Sequence, residues 1–118
     1  MKKMIYKRGP VMELLHKGDY KGYKFYIYSY GTHPCAYVEI PKGHKLYGVH
    51  YDNINIPVHG GFTFSSDHLR HIYTGNWFIG WDYHHAYDYD SYCHIGKMWT
   101  TEEIYEEVKE VIERICTL

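Results

Sequence analysis

The chain has 118 residues, enough for one hydrophobic core and too few for two, so a single domain spanning 1–118 is expected. Hydrophobic residues make up 45% and the mean hydropathy is −0.52, which argues against a disordered or membrane-embedded chain, and no apolar run approaches the roughly 20 residues of a spanning helix. With 13 basic and 14 acidic residues the net charge is −1, so neither nucleic acid nor a membrane is an expected partner.

The opening MKKMIYKRGP carries charge but lacks the apolar core of a signal peptide. Cys35, Cys93 and Cys116 are odd in number and widely spaced, a pattern that suits a reducing compartment. Both features point to the cytoplasm, or the host cytoplasm if the chain is phage-encoded. Up to Asp19 the pattern is hard to read; Val11 to His16 fits a short strand or a turn of helix, bracketed by Gly9-Pro10 and Gly18-Asp19. Tyr23 to Tyr30 is dense in β-formers, with Tyr23, Phe25 and Ile27 on one face and Lys24, Tyr26, Tyr28 and Tyr30 on the other. After the turn Gly31-Thr32-His33-Pro34, the stretch Cys35 to Ile40 resumes the alternation, so a β-hairpin is expected. Pro41 to His44 ends it, and Tyr47 to Val58, with its glycine, asparagine and Pro57, reads as a loop or irregular edge strand.

Two short aromatic segments bounded by glycine follow, Phe62 to Ser65 and Trp77 to Asp82. Paired as antiparallel neighbours, they bring the start of the first beside the end of the second, so His59 and Gly60 lie near Asp82, with His84, His85 and Asp88 on the next loop. A small slip in register changes which side chains face together but not which ends meet. Ser65 to His68 could cap a helical turn reaching Tyr73. Tyr89 to Lys97 reads as irregular. Thr100 and Glu103 then form a capping box, and Ile104, Val108, Val111, Ile112 and Ile115 share one face of the helix that follows. The fold class is α+β: an antiparallel sheet of about four to six strands with the C-terminal amphipathic helix packed on it.

His59-Gly60-Gly61 sets an imidazole beside two residues without Cβ, and exposed N–H groups there can receive an anion. Thr63 adds a hydroxyl on the same strand face as Gly61. Glycine pairs also occur simply to permit a bulge. Asp82, His85 and Asp88, spaced three apart at the mouth of a strand, can hold a divalent metal, or an Asp can fix the tautomer of a His that acts as acid, base or donor. The plainer alternative is that Asp82 caps the loop backbone and the histidines are merely exposed. Cys93-His94 with His84 and His85 lacks the paired spacing of a structural zinc site, and no motif frames Cys93 as a nucleophile. The sequence contains no P-loop, Rossmann fingerprint, HExxH or GxSxG, so no cofactor is implied.

YVEIPKGHKLYG with Tyr51-Asp52, HGGFTF, WFIGWDYHHAYD and the WTTEEIYEEVKEV helix together resemble a widespread, largely uncharacterised family of small proteins from phages, prophages and bacteria, over about residues 35–113. That family combines a proline-glycine-histidine turn, an HGGxT strand and a G-aromatic-DxxHxxD stretch. Its polar pattern falls here on His44, His59, Gly60, Gly61, Thr63, Asp82, His85 and Asp88. Trp81 stands where phenylalanine is commoner, and Tyr87 where a small residue is commoner, which bears on the width of any pocket near His85.

The leading expectation is a phage-type accessory protein that binds a small polar, nucleotide-like ligand and so sequesters a host immune signal. Paired glycines, imidazoles and aromatic rings suit a phosphate-and-base ligand; the phage setting is implied by the resemblance alone. In this reading His59 and His85 bind ligand oxygens, Gly60 and Gly61 offer backbone donors, Asp82 orients a histidine, and a tyrosine or Trp81 stacks. The alternative is a metal-assisted hydrolase or phosphoesterase using Asp82, His85, Asp88 and His59. A third reading is a protein-binding inhibitor acting through Tyr26, Tyr28 and Tyr30. A homo-oligomer is expected, because one tyrosine-rich strand face exceeds what a domain of this size can easily cover.

Overall fold

Strand β1 (Glu13–Tyr20) turns into β2 (Tyr23–Ser29) through Lys21-Gly22, both at positive φ, the two-residue geometry whose twist matches that of the flanking strands. The computed structural model describes residues 13–90 and 94–118, so the part of the first expected element at Val11 and Met12, the opening MKKMIYKRGP and Cys93 lie outside the described residues. Within them, the ambiguous stretch is a strand: Gly18 and Asp19 do not end it, because Gly18 lies opposite Phe25, whose ring occupies the room a Cβ would need. The expected hairpin is present, β2 pairing antiparallel with β3 (Pro34–Ile40).

After a loop containing a 3-10 turn at Tyr51–Asn53, β4 (Phe64–Ser66) and β5 (Trp77–Asp82) complete a five-stranded antiparallel sheet in the order β1-β2-β3-β5-β4. Helix α1 (Thr101–Cys116) starts at the expected capping box, with Thr100 accepting from Glu103 N and the Glu103 side chain accepting from Thr100 N. The α+β arrangement is thus a single open sheet with one C-terminal helix packed against it. Among the described residues no helix is long and apolar enough to cross a membrane.

Period-two alternation divides the side chains between two faces. Phe25, Ile27, Ala36, Val38, Ile40, Ile79 and Trp81 face the helix and pack with Ile104, Val108, Val111, Ile112 and Ile115. Burying each of these aliphatic helix residues contributes roughly 1.5–3 kcal/mol, which is what fixes the helix on the sheet. The other face carries Tyr26, Tyr28, Tyr37 and Phe78, packed with Leu69 and Ile72 from the β4–β5 connection. That connection forms no helical turn: Leu69 and Ile72 bridge to each other around Arg70, at φ +57°, and Ser66 Oγ accepts from His68 N. Buried Glu39 ties it down, accepting from Tyr26 Oη, Thr74 Oγ1 and Asn76 Nδ2 at 2.9, 2.9 and 2.7 Å. Tyr26 and Tyr28 are therefore only 8% and 5% exposed within one copy of the chain. The uncovered tyrosine face on which the oligomer and protein-inhibitor expectations rested is filled by the chain's own loop.

Candidate functional site

The ladder between β4 and β5 extends one step beyond β4, because Thr63 N donates to Gly80 O at 2.9 Å. Thr63 Oγ1 is thereby carried to Asp82 Oδ2, 3.0 Å away. Preceding it, Gly61 N donates to Val58 O at 2.9 Å and closes a turn whose two glycines sit at φ +67° and +82°. Gly61's N–H is thus committed to the turn and does not serve a ligand, contrary to the expectation for it. Gly60 has a second reason to lack a side chain: a Cβ there would lie 2.2 Å from His85 Cδ2 and 2.3 Å from Nε2. The tip of one loop and the imidazole of the other are packed directly on each other.

Asp88 holds the surrounding segments together. Its Oδ2 accepts from His59 Nε2 at 2.7 Å and from His85 N at 2.9 Å, and its Oδ1 accepts from Trp99 Nε1 at 2.8 Å. The residue is 7% exposed. Burial by itself pushes the Asp88 carboxyl up, but the hydrogen bonds from His59, the His85 N–H and Trp99 outweigh it and hold the group below its usual value. His59 is further fixed by stacking on Tyr83, ring centroids 4.8 Å apart, and by an edge contact with Trp99 at 4.9 Å.

A second carboxylate, Glu107, links the helix to the same place. Its Oε2 accepts from His59 N at 3.0 Å, and its Oε1 accepts from the Tyr83 hydroxyl, which in turn accepts from Trp81 Nε1 at 3.0 Å. Burial, reinforced by the Glu107 carboxylate, drives the Tyr83 hydroxyl far above its ordinary range, so it stays a neutral donor.

At the mouth of β5, Asp82 Oδ1 accepts from His84 N at 3.1 Å and lies 3.0 Å from His85 Nε2. That second contact is close but off the line of the imidazole N–H, and Nε2 is sealed from solvent without an aligned hydrogen-bond partner. It is an electrostatic contact that repositioning of the ring would convert into a hydrogen bond. The rings of His59 and His85 are 5.8 Å apart. His84 stacks on His33 at 4.8 Å, and His33 on Tyr30 at 5.6 Å. Burial, with His84 next to it, holds His33 below the usual histidine value, against the raising influence of Asp82. A cavity of about 600 Å³ opens here, lined by His84, His85, Ala86, Tyr87, Asp88, Asp90, Ile95 and Gly96. On the sheet face away from the helix a smaller one of about 240 Å³ reaches Thr63 and Asp82 from Tyr30, Cys35, Tyr37 and Phe64.

Of the sequence-predicted residues, His59, Gly60, Gly61, Thr63, Asp82, His85 and Asp88 meet in one place, as the strand-end argument requires. His44 does not join them: its Nδ1 accepts from Leu46 N and its Nε2 lies 3.0 Å from Ile115 O, so it ties a turn to the C-terminal end of α1. Trp81 borders the smaller cavity but is 1% exposed and packs edge-on to Phe62 in the helix-side core, so its ring is not open for stacking. Tyr83, Trp99 and Glu107 also belong to the site, and no motif in the sequence marks them. The signal for Glu107 was an acid three residues after Ile104 and four before Val111, inside the apolar stripe; that for Tyr83 was continuation of the inward alternation Trp77, Ile79, Trp81. Among the described residues no three His, Cys, Asp or Glu side chains are grouped to hold a metal ion.

The chain matches no family model, no curated protein and no solved structure.

Proposed function

We propose that the chain binds a small polar ligand of nucleotide type where the His59–Gly61 turn meets the Asp82–Asp88 loop, and that it acts by withholding that ligand. The observation that carries this reading is the 600 Å³ cavity opening beside two Asp–His pairs, His59 with Asp88 and His85 with Asp82. Each pair turns one imidazole nitrogen to a carboxylate and leaves the other for a ligand oxygen such as those of a phosphate. Gly60 N–H, without a protein partner among the described residues, adds a backbone donor beside the His85 ring. The family resemblance suggests only a phage setting; in that setting, withholding such a ligand would blunt a host defence pathway. The deciding experiment incubates the protein with cyclic nucleotides and ADP-ribose derivatives, removes unbound material, and releases the bound fraction by heat. Intact ligand recovered by mass spectrometry supports the reading; no retained ligand from either class refutes it.

One observation favours a second reading, hydrolysis of such a ligand. Asp82 beside His85 Nε2 leaves Nδ1 without a protein partner among the described residues, the arrangement of an oriented acid–base imidazole. The direct acid–base form suits this geometry better than the metal-assisted one, since the carboxylates are already engaged by imidazole, indole and hydroxyl groups. Recovery of a cleaved product in the same experiment, lost in His85→Ala, would replace sequestration by catalysis.

A further inference from the structure

Tyr87 combines two properties that stability alone does not reconcile. Its backbone is left-handed, at φ +73°, and its surface is 92% exposed. An aromatic residue in that conformation is strained, and an exposed ring recovers nothing by burial. Glycine would occupy the position at no steric cost.

The neighbouring backbone imposes the conformation. Lys97 N donates to Tyr87 O and Tyr89 N to Lys97 O, each at 2.9 Å, while Asp88 N donates to His85 O at 3.0 Å. Gly96, at φ +103°, lets the returning segment lie so close that a Cβ would sit 2.1 Å from Asp88 O. The loop is thus clamped around Tyr87, which lines the 600 Å³ cavity together with Ile95, itself 68% exposed. An exposed aromatic ring and an aliphatic side chain lining a cavity together with His84 to Ala86 match the chemistry of a flat ring.

We infer that this cavity is the subsite for the planar base of the ligand, with Tyr87 stacking on the base and the polar groups of His85 and Gly60 left to the sugar and phosphate. This rests on the nucleotide-binding reading above and adds which end of the ligand lies where. The strain at Tyr87 is then the cost of placing a ring where only bound ligand covers it.

The test uses the full chain with two probes that differ only in the base, AMP and ribose 5-phosphate, titrated by NMR into wild type, Tyr87→Gly and Tyr87→Phe. Base stacking predicts that Tyr87→Gly weakens AMP binding about tenfold. Ribose 5-phosphate binding should be unchanged by it, and Tyr87→Phe should keep AMP affinity. Because glycine relieves the backbone, Tyr87→Gly should also unfold at a higher temperature than wild type. If wild type binds both probes and Tyr87→Gly weakens both equally or neither, the base subsite is refuted while nucleotide binding stands. If wild type binds neither probe, this inference fails, while the binding reading stands or falls on the cyclic nucleotides and ADP-ribose derivatives.

Discussion

Replacing Gly60 and Gly61 separately by alanine separates backbone strain from the contact that builds the site. Both glycines are left-handed, at φ +67° and +82°, so alanine at either loses about 1–2 kcal/mol. At Gly61 that is the whole cost, since a Cβ there meets nothing within 4 Å. At Gly60 the Cβ would lie 2.2 Å from His85 Cδ2 and 2.7 Å from Cγ. Ordinary carbon contact needs about 3.5 Å, so the imidazole must retreat by more than about 1 Å. It cannot do so while its Nε2 stays 3.0 Å from Asp82. Losing that partly buried contact adds about 1 kcal/mol. Gly60→Ala should therefore destabilise by about 2–3 kcal/mol against about 1–2 for Gly61→Ala, read from urea unfolding. The excess belongs to His85, so it should vanish when both substitutions are repeated in a His85→Ala background. The His85 ring resonances should shift in Gly60→Ala alone. Equal costs for the two glycines, or an excess that survives removal of His85, would show that the tip and the imidazole are not packed as described.

Asp88→Asn should cost about 2–4 kcal/mol in chemical denaturation, because its amide must turn an NH₂ toward one of the N–H groups of His59, His85 or Trp99. Glu107→Gln faces the same conflict between His59 N–H and the Tyr83 hydroxyl, and a loss of about 1–2 kcal/mol with a shifted His59 resonance is expected; an unshifted resonance would uncouple helix from site. His33 is held below the ordinary histidine value of 6.5, so the unfolded chain binds its proton more readily; its contribution is present above that pH and lost as pH falls through the lower folded value. Urea midpoints should thus drop between pH 7 and 5 by less in His33→Gln than in wild type, and parallel profiles would refute this. Asp88, held below its ordinary carboxylate value, adds a further loss at more acid pH that Asp88→Asn should not show.

What could be read in advance was whatever local chemistry decides. The capping box and the 104–115 stripe determine helix α1, and alternation on β2, β3 and β5 determines which residues face it. The meeting of His59 with Asp82 and His85 followed from antiparallel pairing alone. The contacts that organise the site are between residues far apart in sequence, and no local rule announces them. Nothing near Trp99 indicates that its indole will donate to Asp88, and nothing near His44 indicates that it will reach the carbonyl of Ile115. An aromatic at a strand end suits a ligand and a core equally, so strand pattern alone does not place Trp81; Tyr83, which accepts from its indole N–H, draws it into the core. Likewise the tyrosines of β2 looked uncovered because Leu69 and Ile72 return over them through a turn that strand periodicity does not encode.

Buried Asp88 and half-buried Glu107 explain why the site lies at this edge of the sheet. Asp88 joins the turn before β4, the loop after β5 and the approach to α1 through three donors, and Glu107 joins the helix itself to the first two. Each segment alone is a loop, which ordinarily costs ordering entropy when it grips a ligand. Here that entropy is lost during folding, because each carboxylate must be satisfied for the core beside it to close. His85 is held between Gly60 and Asp82 before any ligand arrives, whereas the Tyr87 ring, clamped only through its backbone, keeps its rotational freedom. A platform fixed in this way spends little of its binding energy on reorganisation, and the adjustable part is confined to one aromatic ring. If the proposed ligand binds here, that division of labour suits its tight retention better than broad recognition of a protein surface, for which the same loops would need to adapt.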